Sequence, residues 1–126
     1  SNATTMRDMF AFASSFNGEI TSWDVSNVKD FSNMFRGAMD FNQDLSSWDT
    51  AKATIMDYMF SCSSIQHNHG QGSCKFNSDI SGWDMSSVQS LEGMFQSSNS
   101  FNQDLSTWDV SGATNMAFLF EHTKLF

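Results

Sequence analysis

Eight of the fourteen acidic residues recur at a fixed interval along the chain, and they are the first candidates for chemistry. They form two rows, Glu19, Asp44, Asp79 and Asp104 in one and Asp24, Asp49, Asp84 and Asp109 in the other. Such carboxylates can accept hydrogen bonds from turn amides, and this is our first interpretation. Alternatively, they can ligate calcium, which takes six to eight oxygens, or face a basic partner. The second row is our candidate binding surface, and calcium is the one possible cofactor.

Two cysteines and two histidines lie close together in residues 61–75. Our first interpretation is a disulfide between Cys62 and Cys74, which would stabilise the fold by roughly 3 kcal/mol and indicate an oxidising compartment. A zinc site formed by Cys62, His67, His69 and Cys74 is the alternative, although the spacing C-x4-H-x-H-x4-C differs from that of common zinc fingers. Two free thiols are the third possibility. Loops on rigid scaffolds often carry function, so His67 and His69 are candidate contact residues.

The remaining composition points away from several functional classes. The net charge of −8 provides no basic footprint for nucleic acid. No apolar run approaches the roughly 20 residues that a membrane-spanning helix needs. The sequence has no glycine-rich phosphate loop, and its serines follow the repeat as turn residues do. We therefore predict a chain that is not an enzyme and has no resident cofactor.

These residues are positioned by an internal repeat of 25 residues. The four tryptophans, Trp23, Trp48, Trp83 and Trp108, are each followed twelve residues later by a phenylalanine. Residues 1–3 resemble the remnant of an expression tag, and residues 4–126 form a single domain. The domain comprises a partial repeat 4–15 and the repeats 16–40, 41–75, 76–100 and 101–125, with an inserted loop at 61–75. We expect a fragment of a longer array, with further repeats of the same chain as neighbours and possible end-to-end self-association.

The apolar spacing within a repeat predicts its secondary structure. The alternation Trp23-Asp24-Val25 predicts a short strand with Trp and Val facing inward. The spacing of three residues from Val28 to Met34 predicts a short α- or 3₁₀-helix. A period of 25 falls in the range of leucine-rich repeats. We therefore expect a right-handed α/β repeat solenoid of the leucine-rich-repeat type, in which short parallel strands alternate with short helices around a buried tryptophan column.

The repeat also resembles a known family. Its pattern F-N-x-D-[LI]-S-x-W-D-[VMT]-S-x-V-x-x-M-x-x-M-F is similar to that of the BspA-like leucine-rich-repeat surface proteins, in particular the subfamily with a repeat of about this length. The resemblance covers residues 4–126, and the insertion at 61–75 departs from it. It implies a cell-surface or secreted protein that binds or adheres to a protein or surface ligand. A structural spacer is the alternative function.

Overall fold

The computed structural model describes residues 3–62 and 74–123. Within those ranges the chain forms no helix and no extended strand. Its regular β structure is limited to single-residue bridges, and most of the remaining backbone consists of turns. The predicted α/β solenoid of short strands and helices, with its leucine-rich-repeat type of sheet, is therefore wrong. Since the described part contains no helix at all, it also contains none that could cross a membrane.

Successive repeats nevertheless stack in register. Parallel bridges join equivalent residues of neighbouring repeats, in the order Thr5, Asp30, Ile55, Ser90 and Asn115. Around each bridge, alternate main-chain amides donate to the carbonyls of the next repeat. In one repeat Phe31 donates to Ile55 and Asn33 to Asp57, each at 2.9 Å. We call the residues that make these bonds the ladder segments, at 4–13, 29–38, 54–62, 89–98 and 114–123.

The strand predicted at Trp23–Val25 is not formed, and the β bridges lie in the other half of the repeat. Trp23 N donates to Ile20 O, and Val28 N donates to Val25 O, so the chain turns on both sides of the predicted strand. Asp24 closes a further turn by accepting from Ser26 N at 3.0 Å. The period-two pattern at Trp23–Val25 therefore comes from consecutive turns. We call residues 16–28, 41–53, 76–88 and 101–113 the turn segments.

The predicted helix fails because of its backbone torsions. A helix needs right-handed torsions throughout, with every amide bonded four residues back. In the ladder segment Asn33 and Gly37 have φ of 58° and 68°. The amides between them, such as that of Met34, bond three residues back, whereas the alternate amides leave the segment for the next repeat. A chain of such turns places apolar side chains three residues apart, as a helix does.

Stacked aromatic rings form the core. Two phenylalanine columns run through the repeats, with ring centroids of neighbours 5.6–6.0 Å apart. The two columns meet where one repeat joins the next, as at Phe35 and Phe41, whose centroids are 4.1 Å apart. The predicted inward position is observed for Trp48 and Trp83, which are 4% exposed and stack on each other at 6.4 Å. Trp23, in the first complete repeat, is 38% exposed.

Side chains join the turn segments to one another. The indole N–H of Trp48 donates to Ile20 O at 3.2 Å, and that of Trp83 donates to Leu45 O at 2.9 Å. Among the described residues, every hydrogen bond from one turn segment to another has at least one side-chain partner. The ladder segments are joined through the main chain instead.

The predicted disulfide is confirmed. Cys62 and Cys74 are bonded, with their Cα atoms 5.9 Å apart. The ladder continues across the insertion, because Cys62 N donates to Gln96 O and Lys75 N donates to Met39 O, both at 2.9 Å. The chain on both sides of the insertion thus keeps the register of the stack, as the constant repeat spacing predicts.

Candidate functional site

Both acidic rows lie on the turn segments, and their aspartates hold turns. Asp44, Asp79 and Asp104 each accept a hydrogen bond from the amide two residues on, at 2.9 Å. The candidate binding row does the same: Asp24, Asp49, Asp84 and Asp109 accept from the amides of Ser26, Ala51, Ser86 and Ser111 at 2.9–3.0 Å. These are Asx turns, our first interpretation of the rows. The aspartates of the second row are solvent-exposed.

The same hydrogen bonds set the ionisation of these carboxylates. The Ser86 hydroxyl and amide lower the pKa of Asp84, and the neighbouring charge of Asp109 raises it by a smaller amount. The hydroxyl and amide of Ser81 lower the pKa of Asp79 in the same way. Bonding to the charged form thus outweighs repulsion within a row. A cation is therefore not needed to keep Asp79 and Asp84 ionised at neutral pH.

The asparagine row is also structural. Asn17 Oδ1 accepts from the amide of Asn42, Asn42 Oδ1 from Asn77, and Asn77 Oδ1 from Asn102, at 2.8–2.9 Å. Each side chain therefore replaces the main-chain acceptor that a sheet would supply. Gln43 Nε2 adds bonds to the carbonyl and side chain of Asn17.

The geometry gives little support for a metal centre. In residues 3–62 and 74–123, no three acidic, histidine or cysteine side chains are placed to hold an ion together. The sulfur atoms of Cys62 and Cys74 are bonded to each other, whereas zinc binds thiolates. His67 and His69, the other two predicted zinc ligands and the predicted loop contacts, lie outside the described residues.

Many of the side chains that vary between repeats lie on the ladder segments, although some turn positions vary too, as Asn27, Lys52 and Ser87 do. Five positions of the ladder differ in chemical type from one repeat to the next, and we call their exposed surface the variable face. Its central members are Asn33, Arg36, Asp57, Tyr58, Ser90, Glu92, Gly93, Gln96, Asn115, Phe118 and Glu121. Because main-chain bonds hold these segments together, their side chains are available for other contacts.

A connected group of polar and aromatic side chains crosses this face. The Arg36 guanidinium lies 4.8 Å from the ring centroid of Tyr58 and 5.8 Å from that of Phe12. Tyr58 donates its hydroxyl to Glu92 Oε2 at 2.7 Å, and Asn115 Nδ2 donates to Glu92 Oε1 at 2.8 Å. The bond to Glu92 raises the pKa of Tyr58. From Arg36 to Asn115 the group spans four repeats, with a cation at one end and a carboxylate towards the other.

Tyr58 occupies a backbone position that disfavours its side chain. Its φ is 54°, and the equivalent residues Asp8, Asn33, Gly93 and Phe118 have φ of 58–61°. A non-glycine residue in this region costs roughly 1–2 kcal/mol, and asparagine tolerates it better than tyrosine. The Tyr58 ring lies over Gly93, where an added Cβ would overlap it. The sequence therefore retains a large aromatic residue at a strained, half-buried position.

Sequence reasoning singled out the constant rows and missed Arg36, Tyr58 and Glu92. A signal was present, because the repeat-by-repeat alignment shows which positions change. The constant residues prove to be those whose side chains maintain the stack. The strained torsion of Tyr58 and its contact with Arg36 depend on three-dimensional register and could not be read from the spacing.

Comparison with known protein families gave one match. The family described as "Mycoplasma protein of unknown function, DUF285" matches residues 1–71 and 67–126, so the two matches together cover the chain. The chain belongs to this family. Searches of curated proteins and of solved structures gave no significant match.

Membership of the DUF285 family is consistent with the resemblance to BspA-like repeats and with a surface repeat module. The disulfide of this DUF285 chain is compatible with an extracellular location. The leucine-rich-repeat part of the resemblance predicted strands and helices that the described residues do not form.

Proposed function

We propose that this DUF285 chain is a non-enzymatic, cell-surface or secreted repeat module that binds a protein partner through its variable face. The observation that carries the proposal is the group formed by Phe12, Arg36, Tyr58 and Glu92. Arginine and tyrosine are enriched where binding energy concentrates in protein interfaces. Exposed Phe12 adds apolar area next to them.

The backbone torsion of Tyr58 supports a role in binding. Strained residues persist where function requires the side chain, and here the neighbouring repeats show easier solutions at the same position. Asn33 and Gly93 take the same left-handed torsion with less strain. A residue that served only the fold would be expected to follow them.

The acidic rows are a weaker surface for this purpose. Their aspartates hold turns through one oxygen, and a partner that displaced those bonds would disturb the stack. The net charge of −8 still favours approach of a basic partner at long range. We assign the rows to turn formation and overall charge, and the specific contact to the variable face.

The test compares two substitutions in binding to a panel of purified extracellular proteins immobilised on a biosensor. Tyr58→Asn copies the residue that Asn33 provides one repeat earlier, so the variant should fold while losing the aromatic contact. We expect the dissociation constant for any bound partner to rise at least about tenfold, as loss of a hot-spot side chain does. The control is Ser47→Ala, an exposed hydroxyl of the turn segments.

The binding proposal would be overturned by a panel with no binder, or by a partner that Ser47→Ala weakens as much as Tyr58→Asn does. Circular dichroism of both variants separates loss of contact from loss of fold.

A structural spacer, with or without bound calcium, is the second candidate. It is favoured by the regularity of the ladder, which repeats the same main-chain bonds at each step. If calcium bridged the acidic rows, EDTA should lower the melting temperature and added calcium should restore it. Binding that survives changes on the variable face, together with such a shift, would favour the spacer.

A further inference from the structure

We infer that Asn17 is a self-modification site, at which the side-chain amide is lost as ammonia and the residue becomes aspartate or isoaspartate without an enzyme. This reaction goes beyond the proposed binding function, because it takes place on the turn segments and not on the variable face. Two features of the asparagine row support it: the residue that follows each asparagine, and the donors that bond to its side-chain oxygen.

The residue after the asparagine differs from repeat to repeat. It is Gly18 in the first complete repeat, and Gln43, Ser78 and Gln103 in the others. The main-chain nitrogen of this residue is the nucleophile that can attack the asparagine side-chain carbonyl and close a succinimide ring. A Cβ on the following residue hinders that approach, and glycine has none. Asn17 is therefore the member of the row whose neighbour presents the least hindered nitrogen.

The reacting groups of Asn17 and Gly18 are accessible to water. Asn17 is exposed, as the other asparagines of the row are, and Gly18 is partly exposed. Within residues 3–62 and 74–123, Gly18 N donates no hydrogen bond, so losing its proton breaks none. An added Cβ at residue 18 would lie 2.8 Å from the Phe16 ring, so the packing of this repeat also favours glycine there.

The side-chain oxygen of Asn17 is held by two donors from the next repeat. Asn42 N lies 2.9 Å from Oδ1, and Gln43 Nε2 lies 3.1 Å from it. Negative charge develops on this oxygen when a nitrogen attacks the carbonyl carbon, and donors that are already in place stabilise that charge. The stack therefore provides Asn17 with the arrangement of an oxyanion hole.

Asn77 provides a matched comparison within the same chain. Its Oδ1 accepts from Asn102 N at 2.8 Å and from Gln103 Nε2 at 3.1 Å, as Asn17 Oδ1 does from the next repeat. The two side-chain carbonyls are thus polarised alike, and the residue that follows is serine at Asn77 and glycine at Asn17. We therefore expect the faster reaction at Asn17.

The reaction is a hydrolysis in two stages. A water molecule or hydroxide takes the proton from Gly18 N, and this nitrogen forms a bond to Asn17 Cγ. The Cγ–Nδ2 bond then breaks, and Nδ2 leaves as ammonia with a proton from solvent. Water opens the ring in the second stage. Attack at Cγ gives aspartate, whereas attack at the main-chain carbonyl carbon gives isoaspartate, in which the main chain runs through Cγ.

The two products affect the stack differently. Aspartate keeps an oxygen that can accept from Asn42 N and Gln43 Nε2, and it adds a negative charge to a chain whose net charge is −8. Isoaspartate lengthens the main chain directly after Phe16. We expect this product to weaken the stacking of the Phe16 and Phe41 rings, whose centroids are 5.8 Å apart.

The test follows the purified, folded chain at mildly alkaline pH in heavy-oxygen water. Peptide mapping by mass spectrometry measures conversion at each asparagine, because each event takes oxygen from the solvent. An isoaspartyl methyltransferase assay measures the isoaspartate product. We expect Asn17 to convert at least about tenfold faster than Asn77, the ratio that about 1.4 kcal/mol in the barrier produces.

Two variants separate the two features. Ser78→Gly places glycine after an asparagine that has both donors, so Asn77 should convert at about the rate of Asn17. Gln43→Ala removes one donor from Asn17 Oδ1 and should slow conversion there at least about threefold. The loss should be smaller than the roughly 100-fold of a water-excluded oxyanion hole, because Asn17 is exposed. Gln103→Ala is the control: it removes the equivalent donor from Asn77 and should leave Asn17 unchanged. Circular dichroism confirms that all three variants fold.

Four outcomes would overturn the inference. Asn17 could convert no faster than Asn77 in the folded chain. Ser78→Gly could leave Asn77 unconverted, which would deny the role of glycine. Gln43→Ala could leave the rate at Asn17 unchanged, which would assign any conversion to the Asn-Gly sequence alone. The chain unfolded in guanidinium chloride could convert Asn17 faster than the folded chain, which would show that the stack protects this side chain.

Discussion

The turn segments and the ladder segments hold the same stack together in different ways. In the turn segments the bonds between repeats run through side chains, as from the Asn42 amide to Asn17 Oδ1 and from the Trp48 indole to Ile20 O. In the ladder segments they run between main-chain groups, as from Phe31 N to Ile55 O. Side-chain bonds require particular residues, whereas main-chain bonds require only a backbone conformation.

This difference accounts for the pattern of the sequence. The phenylalanine, asparagine and tryptophan rows recur because their members bond to or pack against the next repeat. The aspartates recur because each closes a turn within its own repeat. The exposed ladder positions vary more, as the series Asn33, Tyr58 and Gly93 illustrates, because main-chain bonds join the ladder whatever the side chain. Side-chain bonds between repeats, such as that from Tyr58 to Glu92, are added to this main-chain ladder.

The largest expected effect is at the tryptophan column. Trp48→Ala should cost roughly 3–5 kcal/mol, because it removes a buried ring and the indole hydrogen bond to Ile20 O. Trp23→Ala should cost less than about 2 kcal/mol, because that ring is already partly in solvent. Urea unfolding of the two variants provides the comparison. Equal losses would show that the position within the stack does not determine the contribution of a turn-segment side chain.

The next effect concerns the disulfide at the end of a ladder segment. Replacing Cys62 and Cys74 together by alanine should cost roughly 3 kcal/mol, because the unfolded chain regains the freedom of the closed loop. The ladder bond from Cys62 N to Gln96 O should survive, since it needs no side chain. Hydrogen exchange at that amide checks the second point. Rapid exchange in a variant that otherwise remains folded would show that the ladder depends on the disulfide.

A smaller effect separates the two halves directly. Asn42→Ala removes the acceptor of Asn77 N and of the Ser78 hydroxyl, so we expect a loss of about 1 kcal/mol in the free energy of unfolding. Gln96→Ala removes a side-chain bond to Glu121 on the variable face, and we expect less than about 0.5 kcal/mol. Chemical denaturation of both variants gives the values. A reversed order would contradict the division of roles between the segments.

The sequence predicted what depends on residue identity. The burial of Trp48 and Trp83, the Asx turns and the pairing of Cys62 with Cys74 followed from side-chain type and spacing. Each of these features depends on the type and spacing of side chains, which can be recognised without knowledge of the backbone conformation. For that reason the positions of the turn aspartates could be given residue by residue.

The helices and strands could not be predicted correctly, because apolar spacing does not specify backbone torsions. Val28, Phe31 and Met34 lie three residues apart in a helix and equally in a chain of three-residue turns. The deciding fact is the left-handed torsion of Asn33, which the spacing of apolar residues does not reveal. The same torsion places Tyr58 beside Arg36, so the candidate surface was missed for the same reason as the fold.

The smallest effect is the pH dependence of a single turn. The Ser86 hydroxyl and amide hold the pKa of Asp84 below the ordinary value of 3.8. A group with a lowered folded pKa stabilises the fold above its unfolded pKa and loses that contribution as the pH falls through the folded value. Asp44, Asp79, Asp104 and Asp109 have pKa values shifted in the same direction. The urea midpoint should therefore fall progressively as the pH is lowered below about 4.

Asp84→Asn keeps an oxygen that can accept from Ser86 N but cannot ionise, so its midpoint should depend less steeply on pH. An unchanged slope would mean that Asp84 contributes no charge-assisted bond, and that the turn segments are held by neutral hydrogen bonds and packing alone.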